Sequence, residues 1–61
     1  MNPIKMLRAR TGLSQSKFAE RFAIPVRTLQ GWERGKHVPD YVIFLLERCI
    51  AVDYEKKGVD N

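Results

Sequence analysis

Leu13-Ser14-Gln15-Ser16-Lys17-Phe18-Ala19-Glu20-Arg21-Phe22-Ala23-Ile24-Pro25-Val26-Arg27-Thr28-Leu29-Gln30-Gly31-Trp32-Glu33-Arg34-Gly35 is the stretch that decides how this chain folds. Phe18 and Phe22 stand four residues apart and Leu29 and Trp32 three apart, so each pair shares one face of a short helix. Ile24 falls in the connection, and the small Ala19 lies where two such helices must cross closely. Ser14 suits the N-cap of the first, although Lys17 stands where a capping box wants Glu or Gln. Pro25 suits the start of the second.

Turned outward on the second helix are Val26, Arg27, Thr28, Gln30, Gly31 and Arg34, hydrogen-bonding groups around a bare glycine. Such a face suits a DNA major groove, and two helices so arranged form a helix-turn-helix. Working outward, a helix over about 3–11 carries Ile4, Leu7 and Met6 inward and stops at Thr11-Gly12. The two central helices occupy about 14–22 and 25–34, and a fourth runs over about 39–53, with Asp40 against its positive end. A flexible tail of about 55–61 follows. The expected architecture is all-α: one compact four-helix domain over residues 1–61.

The residues resemble the XRE, or lambda-repressor-like, family of phage repressors and Cro proteins. Leu13-Ser14-Gln15, Phe18-Ala19, Leu29 and Trp32-Glu33-Arg34-Gly35 carry the likeness, with Ile4, Leu7, Arg8 and Gly12 upstream and Lys36 to Pro39 downstream. The chain departs from the family at Ala23, where glycine is usual; a left-handed backbone there would cost alanine about 1 to 2 kcal/mol. The C-terminus is expected to be shortened, without room for the fifth helix that many relatives use to dimerise.

Composition agrees with a small binding domain. Sixty-one residues with 44% hydrophobic and 10% aromatic content make one modest core with a narrow stability margin. The single cysteine, Cys49, excludes an intrachain disulfide, and no Cys/His cluster offers a metal site. No nucleophile-base pair or glycine-rich phosphate loop points to an enzyme, so no catalytic residue and no cofactor is expected. The longest apolar run, Tyr41 to Leu46, is too short for a bilayer, and a cytoplasmic protein is expected. From Lys5 to Lys36 eight basic residues face Glu20 and Glu33, a net of +6; from Asp40 onward the balance is −2. Phosphate attraction needs its charge where the motif lies.

The resemblance implies that Gln15 donates to a phosphate and that Arg8 and Glu33 form a partly buried ion pair clamping the first helix to the end of the third. Ser16, Lys17 and Pro25 are also expected in the DNA-facing set. Arg27 can pair bidentately with guanine or rest on a phosphate; Val26 can meet a thymine methyl or pack inward. Thr28 offers a phosphate ligand, and Gln30 either reads adenine or stays solvated. Arg34, Lys36 and His37 are expected to supply salt-dependent, sequence-blind affinity. Trp32 reads as core. In the fourth helix Val42, Leu45, Leu46 and Cys49 share one face and are expected to fill the core. Tyr41, Ile43, Phe44, Ile50 and Tyr54 are left for a partner. The function expected is sequence-specific binding of double-stranded DNA at a near-palindromic operator by a homodimeric regulator, most simply a repressor. The alternative is an antitoxin or interaction module that docks a toxin or larger protein on the fourth helix.

Overall fold

A computed structural model describes residues 2–55 of the chain. Among these, four α-helices succeed one another: α1 (Pro3–Thr11), α2 (Gln15–Arg21), α3 (Val26–Glu33) and α4 (Asp40–Ile50); α4 runs on into a π-helical turn, Ala51–Glu55. No strand occurs among the described residues. Apart from Glu55, the tail expected over 55–61 lies outside them.

Local chemistry explains each helix end. Asn2 caps α1, its Oδ1 accepting from the backbone N–H of Ile4 (3.0 Å) and Lys5 (3.1 Å). The Asn2 amide also donates to the carbonyls of Trp32 and Glu33, both at 3.1 Å, so one side chain starts α1 and finishes α3. Ser14 caps α2 by accepting from the Lys17 N–H at 3.2 Å. That helix closes in a Schellman motif: Ile24 N–H donates to Ala19 O (2.8 Å) and Ala23 N–H to Glu20 O (3.3 Å). Ala23 supplies the left-handed residue, at φ 56°. A second Schellman motif ends α3, with Lys36 N–H on Gly31 O (3.0 Å) and Gly35 N–H on Trp32 O (3.1 Å). Gly35 takes the positive φ there, 111°.

The core is built from Ile4 and Leu7 of α1, Phe18 and Ala19 of α2, Leu29 of α3, and Leu46 and Ile50 of α4. Phe18 and Phe22 pack tilted, ring centres 4.8 Å apart, and Trp32, Ile24 and Val42 close over this cluster half-buried. Helix α2 packs on α3, and α1 packs on both α3 and α4.

The outer helices depart from the expected faces. Met6 is 51% exposed, because Ile4 and Leu7 already define the inward face of α1 and Met6 falls off it. Of the row expected inside, Leu46 is buried and Val42 packs against the core, but Leu45 and Cys49 do not; Ile43 and Ile50 of α4 and Tyr54 of the turn after it take their place. Ile50, expected on the partner face, is fully buried, while Ile43 and Tyr54 are half-buried against the core. Leu45, expected inside, is 54% exposed, and Cys49 is exposed beside it. Packing against α1 turns the helix so that Tyr41, Phe44, Leu45 and Val52 face outward.

Two clasps hold the end of this helix. Arg10 of α1 meets Glu47 at 2.8 Å and Glu55 at 2.6 Å, and Arg21 of α2 pairs with Asp53. The wider π-helical turn carries Asp53 and Glu55 to these arginines while Tyr54 stays against the core.

Candidate nucleic-acid interface

The solvent face of α3 follows from which residues the core takes. Leu29 is buried and Glu33 nearly so, leaving Val26, Arg27 and Thr28 exposed and Gln30 and Gly31 half-exposed. Arg27, Thr28 and Gly31 stand at i, i+1 and i+4 and so share one side of the helix. Ser16, Lys17, Pro25, Arg34, Lys36 and His37 are also exposed.

Arg8 and Glu33 meet as a bidentate pair, with Nε to Oε2 at 2.7 Å and the second guanidinium nitrogen to Oε1 at 3.1 Å. Arg8 also donates to Leu13 O at 3.0 Å, tying the loop after α1 into the same cluster. The Glu33 side chain is 3% exposed, and burial alone would favour its neutral form. The Arg8 hydrogen bond outweighs that effect and, with a further bond from Gln15, holds the carboxyl below the usual carboxylate range. The same bond raises the already high pKa of Arg8.

Gln15 is therefore engaged within the protein. Its Nε2 donates to Glu33 Oε1 at 3.0 Å, and its Oε1 accepts a long bond of 3.5 Å from Gln30 Nε2. A carboxylate only accepts, so Glu33 obliges Gln15 to turn its amine inward and its carbonyl toward Gln30. One N–H and the carbonyl of Gln30 are left for a ligand, which is the pair that an adenine edge requires.

Lys36 is the residue whose placement sequence reasoning missed. A β-carbon built on Gly31 would lie 3.3 Å from Lys36 Cδ and 3.9 Å from Cε, so the lysine stem lies across the bare glycine. Around it opens a cleft of about 310 Å³, lined by Arg27, Thr28, Gly31, Trp32, Lys36 and His37. The signal was present in Gly31 followed five residues later by Lys36, the spacing of a C3–C″ contact in a Schellman motif. Asn2 was missed as well; an asparagine just before a proline at the first helical position is an N-cap signal.

The clasps thin the basic half of the chain. Of its eight cations, Arg8, Arg10 and Arg21 are matched by carboxylates. Lys5, Lys17, Arg27, Arg34 and Lys36 have no ion-pair partner among the described residues, and three of these lie on or just after α3.

With this geometry a family model described as helix-turn-helix matches residues 4–56. The chain belongs to the helix-turn-helix family, of the XRE or lambda-repressor-like kind. Helix-turn-helix proteins of this kind bind DNA and regulate transcription, and the compact all-α fold agrees with theirs. No curated protein and no solved structure matches the chain. No helix among the described residues is long and apolar enough to cross a membrane, and no group of His, Cys, Asp and Glu among them is placed to hold a metal ion.

Proposed function

We propose that this protein represses transcription by binding a near-palindromic operator as a homodimer, with α3 in the major groove. The observation that carries the reading is the outward face of α3: Arg27, Thr28 and Gln30 stand clear of the core, and among the described residues the cations flanking them have no ion-pair partner and α3 carries no acidic side chain except Glu33, which Arg8 neutralises. Arg27 supplies a guanidinium suited to guanine, Gln30 an amide pre-set for adenine, and Thr28 a hydroxyl for a phosphate. Lys17 and Arg34, both exposed, are assigned in this reading to the sugar-phosphate strands on either side. A second copy would bring a second α3 to a half-site about 34 to 36 Å away.

The dimer surface in this reading is the outward row of α4 and the turn after it, Tyr41, Phe44, Leu45 and Val52, with the shallow apolar groove of about 270 Å³ between it and the α2–α3 turn. Ile50 is excluded from it by burial. The same row supports a second reading, an antitoxin-like module that docks a protein there, and sedimentation of the free protein separates the two. A dimer at tens of micromolar favours the first; a monomer throughout removes it.

Binding to a pool of randomised duplexes at two salt concentrations, with sequencing of the bound fraction, tests the function. A two-fold symmetric motif that loses selectivity at one position of each half-site in Arg27→Ala is expected. Binding without enrichment that vanishes as salt rises would overturn specific recognition.

A further inference from the structure

We propose that Lys36, which lies outside α3, determines specificity by presenting its ammonium to a guanine edge at the place where Gly31 leaves the groove face bare; the proposal rests on the DNA-binding reading above. Two features fix the lysine there. Its backbone N–H is bonded to Gly31 O at 3.0 Å, and its stem crosses the Gly31 Cα within van der Waals reach of where a β-carbon would stand. The methylenes thus fill the space a side chain at position 31 would occupy.

The stem has a physical reason to stay. In a Schellman motif the C″ residue makes its apolar contact with C3, and here these are Lys36 and Gly31. A lysine lays its methylenes on such a surface and leaves its charged end in solvent. That end sits two bonds beyond the carbon nearest Gly31, on the side of α3 that also bears Arg27 and Thr28. No acidic residue lines the cleft, and among the described residues no carboxylate pairs with Lys36.

The chemistry of the end group selects the base. An ammonium only donates, and guanine alone presents two adjacent acceptors, O6 and N7, on the major-groove edge. Adenine sets an amino donor beside N7, and cytosine offers only a donor. Gly31 is then a positioning residue, because its missing side chain opens the path.

The test is selection from randomised duplexes with the whole chain, comparing wild type with Lys36→Met and Lys17→Met. Methionine keeps an apolar stem over Gly31 and removes the charge, and thermal melts verify that both variants fold. The expected result is a guanine preference, once per half-site, that disappears in Lys36→Met while the other positions persist, with about tenfold weaker binding to the best wild-type site. Lys17→Met should weaken all sequences alike. If Lys36→Met keeps every base preference and merely binds all duplexes more weakly, Lys36 is a phosphate contact and the proposal is overturned alone. If wild type enriches no motif, the DNA-binding reading falls and takes the proposal with it.

Discussion

Ala23 holds the left-handed conformation, φ 56°, that closes α2, and it is the only non-glycine among the described residues with positive φ. Its Cβ crowds the backbone there, whereas glycine in the same place does not. Ala23→Gly should therefore stabilise the protein by about 0.5 to 1 kcal/mol, less than the full steric penalty because glycine loses more freedom on folding. A melting temperature that stays level or falls would refute this. Asn2 carries two separable roles, and substitution can part them. Asn2→Asp keeps the acceptor for the Ile4 and Lys5 amides but cannot donate to Trp32 O and Glu33 O. Asn2→Ala loses both sets. Denaturant titration should find the alanine variant down by about 1 to 2 kcal/mol, and the aspartate variant destabilised despite its intact cap. An aspartate variant as stable as wild type would mean that the link to α3 contributes nothing.

Between elements, the tie of α1 to α3 through Arg8 and Glu33 decides how firmly the reading helix is held. Removing either partner should cost about 1 to 3 kcal/mol, with the double variant far from the sum, since the second loss no longer strands a charge. Additive sub-kilocalorie effects would show the pair to be idle. The pair also sets a pH dependence. The folded Glu33 carboxyl sits below its ordinary value of 4.5, so on acidification the unfolded chain takes up the proton first. Its stabilisation is complete above about pH 4.5 and is lost as pH falls through the lower, folded value. Melting temperature should drop below that pH, and Glu33→Gln should flatten the drop; identical profiles would remove Glu33 as the cause.

The helix ends and the α2–α3 pairing were legible because Ser14, Gly12, Pro25 and Gly35 each act locally and the aromatic spacing admits one inward face. The orientation of α4 was not. Val42, Leu45, Leu46 and Cys49 fit helical spacing as well as Ile43, Leu46, Ile50 and Tyr54 do, and both rows contain Leu46. Contact with α1, which periodicity does not encode, takes the second row inward, keeps Val42 at the margin of the core and leaves Leu45 and Cys49 outside. On the interface, Arg27, Thr28 and Gln30 could be read from sequence as outward-facing. The engagement of Gln15 by Glu33 could not, since it joins residues eighteen apart through side-chain geometry.

For the molecule as a whole, the clasps change how many charges are free for DNA. Arg10 and Arg21 add to the net charge but already face Glu47, Glu55 and Asp53. Each cation that releases a phosphate counterion contributes about 0.9 to the slope of log affinity against log salt. Arg10→Gln and Arg21→Gln should leave that slope unchanged, while Arg34→Gln should lower it by about 0.9. A lower slope for either clasp variant would mean that DNA draws its arginine away from the carboxylates. A domain of this size has little stability to spare, and in it 1 kcal/mol moves the melting temperature by roughly 4 to 8 °C. The left-handed alanine then acquires a meaning in genetic terms. Any alanine codon becomes a glycine codon by one base change, so relief of this strain is a single mutational step away. A library of random point mutants grown under heat selection should return that change early.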